Sequence, residues 1–455
     1  MKPSLSLLLT SLALATAQLK GEHIIETHLP LQWTQCAAPN GDCRTINASL
    51  TADEGWRWLH DDGGYTNCYD GQTWNDRGCK GNCTEVCALE GADYRVLGAT
   101  TANASVTQKL VTKIDFGTNV ASRLYLIESR DRYQTFRLLD NEFAFDVDLS
   151  KTPCGVNSAL HFIEMDADGG MARFPGNKVG AEYGTGYCNS QCSRALRYVG
   201  GKANDWAWAP AEHDPNAGVG SMGACCGEVA FWDSNSHSYQ MSTQTCGHDG
   251  YRVCEAGEDC AGYRDPAGYL MTGNSRCDSI GCGFNPYRMG AKDFYGVGKT
   301  VDTSKVFTVV TRFTASNITQ FFIQDGRKIE VPVPTVAGLP PHNGLTPEMC
   351  SAARPLFKES NKHLEMGGWD TTVKLLTKPL VLSMEINVSY YDYNLWLDGN
   401  YPNIDDALET EPGNARGDCY PYEDSSPQNL IYGRPDSKVV WSNFRFGPIG
   451  STVKV

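Results

Sequence analysis

The sequence predicts an all-β sandwich with long loops, and three observations support this fold class. Short runs of β-branched and aromatic residues recur between turns rich in Gly, Asn and Asp. Several of these runs alternate in polarity with a period of two, which is typical of strands with one buried face. Helical periodicity is confined to short pieces such as residues 347–358.

The predicted strands are spread along most of the chain. In order they cover residues 123–128, 142–148, 159–164, 306–311, 320–324 and 380–385. The Gly-rich segments 169–186 and 218–227 lie within this framework and are expected to be loops rather than linkers. No internal repeat is evident, so we expect one domain rather than an array.

The N-terminus is typical of a secretory signal peptide. Lys2 precedes an apolar run over residues 5–15, and a small-residue Ala15-Thr-Ala17 site follows. We expect cleavage after Ala17, which leaves residues 18–455 as a single domain without a linker or an appended binding module. No later apolar run is long enough to span a bilayer. The mature protein is therefore expected to be soluble, secreted and extracellular.

Charge and cysteine content narrow the function classes. The formal net charge is −14, which disfavours nucleic acid and anionic membranes as partners and suits a neutral ligand. All 18 cysteines follow the predicted cleavage site, and an even number in an oxidising compartment predicts disulfides. The close pairs 79/83, 188/192 and 254/260 have no histidine in register, so no metal site and no cofactor are expected.

The sequence also has candidate N-glycan sites, which in a secreted chain lie on the surface. Candidate glycan triplets begin at Asn47, Asn82, Asn103, Asn317 and Asn387.

The ten tryptophans offer flat apolar faces with a polar edge, which suit sugar rings. Trp56 and Trp58 alternate onto one strand face, whereas Trp33, Trp74 and Trp441 are assigned to the core.

Residues 224–236 form the chemically most informative stretch. Glu228 and Asp233 stand close to the paired Cys225 and Cys226 and flank Trp232, in a chain with only 20% charged residues. Two carboxylates in one short stretch are candidates for acid and base chemistry.

Motifs along almost the whole mature chain resemble glycoside hydrolase family 7, the secreted cellulases. They are THLPLQW (27–33), WRW (56–58), TNCYDG (66–71), NEFAFDVD (141–148), MDADGG (165–170), YGTGYC (183–188), NPYR (285–288), LWLD (395–398) and FGPIG (446–450). The resemblance runs from about residue 22 to residue 452.

The resemblance implies a jelly-roll of two curved antiparallel sheets with a long cleft or tunnel that holds a β-1,4-glucan chain, in a monomer. It also implies nine disulfides: Cys36–Cys43, Cys68–Cys87, Cys79–Cys83, Cys154–Cys419, Cys188–Cys226, Cys192–Cys225, Cys246–Cys277, Cys254–Cys260 and Cys282–Cys350. One further family bridge is expected to be absent, because Ala88 follows Cys87 and no cysteine stands near the mature N-terminus.

The family's catalytic motif is altered here. Retaining enzymes use one carboxylate as nucleophile and a second carboxyl group, about 5–5.5 Å away, as acid and then base. The family motif is Glu-x-Asp-x-x-Glu, and this chain has Glu228, Ala230 and Asp233 at the three positions. By resemblance, Glu228 is the nucleophile and Asp233 the proton donor and base. An ideal strand places residues 228 and 233 on opposite faces, so we expect a bulge or bend near Phe231.

Three other positions near the motif depart from the family. Gln244 replaces a histidine, Asn189 an aspartate and His161 a tyrosine.

In the cleft, Asn387 stands where the family has a tryptophan platform, and we expect it to make a polar contact without a glycan. Several residues match binding positions: Trp56, Trp58, Asn157, Gln191, Arg288, Trp396 and Arg416. For Arg288 a structural ion pair is an equally good interpretation.

Three long segments, residues 210–223, 260–277 and 401–419, resemble the loops of the enclosed cellobiohydrolase type. The sequence thus predicts a retaining β-1,4-glucanase of cellobiohydrolase type acting on cellulose, weakened by Ala230 and Asp233. The alternative is a homologue that binds glucan without efficient hydrolysis. A structural sandwich without glucan affinity accords poorly with the aromatic platforms.

Overall fold

The structure is a computed structural model. It describes residues 18–38, 42–115, 117–256, 260, 263–264, 270–271, 276–404, 411–420 and 424–454. The predicted signal peptide, most of the 260–277 loop and part of the 401–419 loop lie outside these residues. No helix within the described ranges is long and apolar enough to cross a membrane.

Strands of the main sheet carry most of the fold, and they are numbered here in chain order. They are β1 (Leu29–Cys36), β2 (Cys43–Ala52), β3 (Ala99–Ala102), β4 (Ser105–Lys109), β5 (Ser122–Ser129), β6 (Arg132–Tyr133), β7 (Thr135–Phe136), β8 (Asn141–Asp148), β9 (Val156–Ile163), β10 (Glu228–Ser234), β11 (Tyr239–Gln244), β12 (Cys282–Phe284), β13 (Phe307–Phe313), β14 (Ile318–Gln324), β15 (Arg327–Glu330), β16 (Gly344–Leu345), β17 (Leu380–Val388) and β18 (Lys438–Pro448). All six predicted strands are confirmed.

Smaller sheets and short helices lie in the connections. The small sheets contain Leu19–Lys20, Leu59–Asp61 and Cys87–Leu89, and the pairs Val111–Ile114 with Gly117–Val120, Tyr198–Val199 with Lys202–Ala203, Ala209–Pro210 with Gly218–Val219, Met222–Cys225 with Arg252–Glu255, Tyr263–Arg264 with Leu270–Met271, and Tyr295–Gly296 with Val301–Asp302. The α-helices are α1 (Asp76–Cys79), α2 (Cys83–Val86), α3 (Pro347–Leu356), α4 (Lys362–Glu365), α5 (Gly368–Leu376) and α6 (Leu395–Asp398).

The helix predicted over residues 347–358 is confirmed as α3. Thr346 accepts a hydrogen bond from the Met349 amide and so caps its N-terminus, and Pro347 occupies the first turn, where no amide partner is lost.

The main sheet folds into two layers. One layer follows the pairing order β12, β11, β10, β9, β17, β5 and β2, and the other follows β15, β14, β13, β8, β18, β4 and β3. Strand β1 joins them, because it pairs antiparallel with β2 and in parallel with β18. The predicted all-β sandwich is confirmed.

Aromatic residues fill the space between the layers. Phe143 of β8 packs edge-on against Phe162 of β9, with ring centroids 5.2 Å apart, and against Phe231 of β10 at 5.5 Å. Trp33 and Trp441 are buried in this core as predicted. Trp74 is only partly buried and packs against a smaller cluster around Cys68 and Cys87.

All nine predicted disulfides are present among the described residues. Two of them, Cys188–Cys226 and Cys192–Cys225, tie the segment around residue 190 to the residues that immediately precede β10. This link fixes the position of the 188–192 segment beside the start of that strand.

Candidate active site

The floor of the candidate site is made by three neighbouring strands, with β9 in the centre. Strand β9 pairs with β10 on one side and with β17 on the other. Leu160 and Phe162 of β9 point into the core. Because strand side chains alternate between faces, Asn157 and His161 lie on the opposite face, away from the core.

A bulge in β10 brings both carboxylates to that face. Phe231 and Trp232 are consecutive residues, yet both belong to the hydrophobic core. The pairing register shifts at this point: Ala230 lies opposite His161, whereas Trp232 lies opposite Leu160. The extra residue returns Asp233 to the face of Glu228, so the predicted bulge near Phe231 is confirmed.

Ser190 holds one oxygen of Glu228. The Ser190 amide donates to Glu228 Oε1 at 3.1 Å, and the Ser190 hydroxyl lies 2.9 Å from the same oxygen. That hydroxyl also lies 2.5 Å from Gln244 Oε1, so its single proton can serve only one of the two acceptors. The two nearby disulfides keep Ser190 in register with Glu228.

His161 bridges the two carboxyl groups. Its Nε2 lies 2.9 Å from Asp233 Oδ1, and its Nδ1 lies 3.5 Å from Glu228 Oε2. Asn157 Nδ2 also donates to Asp233 Oδ1, at 2.9 Å. One imidazole ring therefore spans the space between Glu228 and Asp233, and both carboxyl groups are buried.

The charge of His161 follows from these contacts. Burial disfavours the imidazolium, but the charges of Asp233 and Glu228 and their hydrogen bonds outweigh burial and raise the pKa of His161 to about 10. The ring is therefore an imidazolium at neutral pH.

A second charged group lies beside this bridge on β17. Glu385 is one strand away, opposite Ala159, and its Oε2 accepts from Arg123 Nε at 2.7 Å. Burial alone would raise the pKa of Glu385, but the charge of Arg123 lowers it below its usual range. Asn387 donates to Glu385 Oε1 at 2.7 Å.

A loop from the 200–220 region reaches the residues that follow β17. Gln72 anchors the loop at two points: its side-chain amide donates to the Asp214 carbonyl at 3.0 Å, and its carbonyl accepts from Trp208 Nε1 at 2.7 Å. His213 of the same loop contacts Tyr391, with ring centroids 5.7 Å apart. The Asn216 side chain interacts with the Tyr390 side chain and acts to lower its pKa, which burial raises to about 12.

The sequence profile described as Glycosyl hydrolase family 7 matches residues 20–453. The chain belongs to this family. Glycosyl hydrolase family 7 is a family of glycoside hydrolases, and the solved structures to which this chain is similar are cellulases with a β-jelly-roll sandwich fold.

Three solved structures show how far the likeness extends. A cellobiohydrolase from Melanocarpus albomyces complexed with cellotetraose is 47% identical, with a TM-score of 0.89 over 96% of this chain and 100% of the other. A family 7 cellobiohydrolase from Daphnia pulex is 35% identical, with a TM-score of 0.90 over the same shares. The Humicola insolens endocellulase EGI is 31% identical, with a TM-score of 0.78 over 95% of this chain and 100% of the other.

The binding residues carried over from family 7 fall into separate groups. Asn157 and Gln191 lie near the carboxylates: Asn157 contacts Asp233, and Gln191 Nε2 lies 3.4 Å from Gln244 Oε1.

Trp56 is half-buried and donates to the Val120 carbonyl, with Arg123 stacked over its ring at 5.5 Å. Trp58 packs instead in an aromatic group with His23, His60 and Tyr65. These contacts direct both indoles to partners other than the carboxylate pair, so a sugar contact by either one stays a prediction.

Arg288 and Arg416 meet at Glu359 rather than at the carboxylate pair. Arg288 donates to Glu359 Oε1 at 2.5 Å and Arg416 donates to the same oxygen at 3.0 Å. Burial and the neighbouring Arg416 lower the pKa of Arg288 to about 9. Arg288 therefore has the ion pair that the sequence left open, and a sugar contact by either arginine stays a prediction. Trp396 is half-buried beside them, and its carbonyl accepts from Arg416 at 3.4 Å.

Sequence reasoning missed Ser190, Glu385 and Arg123. Ser190 stands between Cys188 and Cys192, so the disulfides that the resemblance implied already placed it next to Cys225 and Cys226. Glu385 is two residues before Asn387 and so shares its strand face, which the period of two could have indicated. Arg123 is more than 250 residues from Glu385 in the chain and required the strand order.

Proposed function

We propose that the protein is a retaining β-1,4-glucanase of the cellobiohydrolase type, with slow turnover on cellulose. Glu228 attacks the anomeric carbon, and Asp233 protonates the leaving oxygen and then activates water. The observation that carries the proposal is the placement of both carboxyl groups on one face of β10, joined by a single imidazole.

Glu228 is arranged as a nucleophile would need to be. Its Oε1 accepts from Ser190, and its Oε2 faces His161 Nδ1, so the carboxylate is oriented from two sides. A fixed orientation towards the reacting atom is what an attacking carboxylate requires.

Asp233 is a weaker acid catalyst than glutamate at the same place. Its side chain is one methylene shorter, which withdraws the carboxyl group by roughly 1.5 Å, the length of one C–C bond. General acid catalysis contributes about 10²–10⁴ in rate and depends on hydrogen-bond reach to the leaving oxygen. Slow turnover is the expected consequence.

The enclosing loop supports the cellobiohydrolase type. The His213–Tyr391 ring contact and the interaction of Asn216 with Tyr390 join a long loop to the residues that follow the C-terminal end of β17. A chain bound along the floor would pass under this connection. The Melanocarpus albomyces structure, whose title names a cellobiohydrolase with cellotetraose, is consistent with such a ligand.

Secretion is part of the proposal. Nine disulfides suit an oxidising compartment, and the sequence of residues 1–17 is typical of a signal peptide.

A second candidate function is glucan binding without efficient hydrolysis. Ala230 removes the carboxylate that the family places between the nucleophile and the acid, and the imidazolium of His161 takes both remaining carboxylates as partners. A binding protein would keep the platforms and need neither proton transfer nor a nucleophile.

Release of product over days separates the two functions. Purified full-length protein is incubated with a soluble cello-oligosaccharide and an aryl lactoside beside a Glu228→Gln variant. We expect wild type to release product at least tenfold faster than the variant. Equal, background-level release would contradict hydrolysis, and Trp fluorescence titrated with cellohexaose would then separate a binding protein from a purely structural one.

A further inference from the structure

His161 occupies a place that Ala230 leaves open. The two residues lie directly opposite each other in the β9–β10 pairing, and such pairs have Cβ atoms about 4.5–5.5 Å apart. A methyl group at 230 leaves room for an imidazole to lie between Glu228 and Asp233, where a longer acidic side chain at 230 would compete for the space. Ala230 is fully buried, whereas the His161 side chain retains 20% exposure.

We propose that His161 stores the proton of this site as an imidazolium bridging Glu228 and Asp233, and lends it through Asp233 to the leaving oxygen. This inference rests on the proposed hydrolytic function. His161 acts through Asp233, so it is a positioning and proton-storing residue rather than one that touches the sugar.

Both ring nitrogens face carboxylate oxygens. A neutral imidazole has one N–H, so one of its nitrogens would direct a lone pair at an acceptor. An imidazolium donates from both positions, to Asp233 Oδ1 at 2.9 Å and towards Glu228 Oε2 at 3.5 Å. Asp233 Oδ1 receives a second N–H from Asn157, so this oxygen is an acceptor in the resting site.

The other groups near the ring do not supply a proton in place of His161. Glu385 on β17 adds negative charge near the imidazole, but it is paired with Arg123, which also lies 3.3 Å from Asp53. Two neighbours of the site are uncharged. Ser383 lies opposite His161 on β17, and Gln244, at the end of β11, lies beside Ser190. Within the described residues, His161 is thus the basic group between the two carboxylates.

The reactive form has the same number of protons as the resting form. Transfer of the Nε2 proton across the 2.9 Å hydrogen bond gives neutral His161 and protonated Asp233 while Glu228 stays ionised.

In the first half-reaction Asp233 turns about its Cβ–Cγ bond and gives the proton to the leaving oxygen. The C1–O bond breaks, and a bond forms between C1 and Glu228. In the second, water attacks C1, the bond to Glu228 breaks, and the water proton returns through Asp233 to His161.

A proton stored on an imidazole extends the pH range of kcat/KM to more alkaline values. The pKa of His161 is raised to about 10, so the imidazolium is present below that pH and is lost as the pH rises through it. The value of kcat/KM is therefore expected to hold from neutral pH to about pH 9. A carboxylic acid without this partner would lose its proton near its ordinary pKa of about 4.

The test compares His161→Gln with wild type and with Ser383→Ala, all as full-length secreted protein. Glutamine keeps a hydrogen-bonding side chain but carries no transferable proton, and Ser383→Ala alters the opposite strand neighbour of His161 without touching an ionisable group. The readout is kcat/KM against pH on two aryl β-cellobiosides, one with phenol and one with dinitrophenol as leaving group.

We expect His161→Gln to lose about 10²-fold on the phenyl substrate at pH 8, because that leaving group needs a proton. On the dinitrophenyl substrate, which leaves without one, the loss should be under about threefold. Ser383→Ala should keep the wild-type profile. Equal losses on both substrates, or an unchanged alkaline limb in His161→Gln, would overturn the inference.

A second readout is independent of turnover. In ¹⁵N-histidine-labelled wild type, the imidazole signal that disappears in His161→Gln should remain in its protonated form at pH 8. A signal in the neutral form at that pH contradicts the stored proton.

The two proposals can fail separately. If wild type and Glu228→Gln release product equally slowly, the hydrolytic function fails and the relay fails with it. If Glu228→Gln is inactive while His161→Gln keeps the wild-type alkaline limb, only the role of His161 is wrong.

Discussion

At the residue scale, the site depends on how three side chains share space and charge. Ala230 removes a carboxylate, His161 adds an imidazolium opposite it, and Asp233 retracts a carboxyl group towards that imidazolium. The changes are mutually compatible, because the shortened Asp233 pairs with a cationic imidazole at position 161. The tyrosine that the family has at this position carries no positive charge. A single reversion would therefore leave the other residues mismatched.

We predict that restoring the activity of the family motif requires replacing His161 as well as Ala230 and Asp233. The triple variant Ala230→Asp, Asp233→Glu, His161→Tyr should exceed wild type about 10²-fold in kcat/KM on an aryl lactoside at pH 5, since the glutamate regains reach.

The double variant Ala230→Asp, Asp233→Glu should gain less than about tenfold, because the carboxylate introduced at position 230 and the imidazole of His161 would compete for one space and pair with each other. A double variant as active as the triple would contradict that competition. Cellohexaose binding by Trp fluorescence serves as the control for folding.

At the element scale, the bulge in β10 places Glu228 and Asp233 on one face of the sheet. Without it, Asp233 would point into the core between Phe145 and Phe322, where Trp232 now packs. The bulge is set by two adjacent aromatic residues that both bury large surfaces, Phe231 stacked on Phe162 at 4.8 Å and Trp232 stacked on Tyr239 at 5.0 Å. Burial of both rings stabilises the register shift that a strict alternation would not allow.

The loop of the 200–220 region contacts Tyr391 through His213 and Tyr390 through Asn216. Removing both contacts with His213→Ala and Asn216→Ala should open the cleft. The share of new reducing ends left in insoluble cellulose should then rise at least twofold relative to soluble product, because internal chain segments could enter.

Trp206→Ala is the matched control, since Trp206 lies in the same region, is 79% exposed and takes no part in either contact. An unchanged ratio in the double variant would show that these contacts do not control access.

At the scale of the whole molecule, much of the architecture could be predicted from the sequence. Strands such as β8 and β9 carry their own alternation of residue types in the sequence. The need for a bulge followed from the spacing of Glu228 and Asp233 together with the family 7 roles of the two carboxyl groups. The disulfides followed from the resemblance to family 7, and all nine are present.

Contacts between distant strands could not be predicted from the sequence. That His161 faces both carboxylates depends on the register of β9 against β10, and the Arg123–Glu385 pair depends on β5 lying beside β17. Local periodicity carries no information on strand order, so His161 could be identified as a changed residue but not as a bridge. The ion pair of Arg288 and Arg416 with Glu359 required the same three-dimensional information.

The central claim is that Glu228 forms a covalent bond to the sugar in a site that still turns over. Incubation with a dinitrophenyl 2-deoxy-2-fluoro-β-cellobioside slows hydrolysis of that intermediate, so it should accumulate. We predict that intact mass rises by one fluorocellobiosyl unit and that the peptide containing Glu228 carries it. A protein that stays unlabelled, or one that labels equally in Glu228→Gln, would contradict the claim.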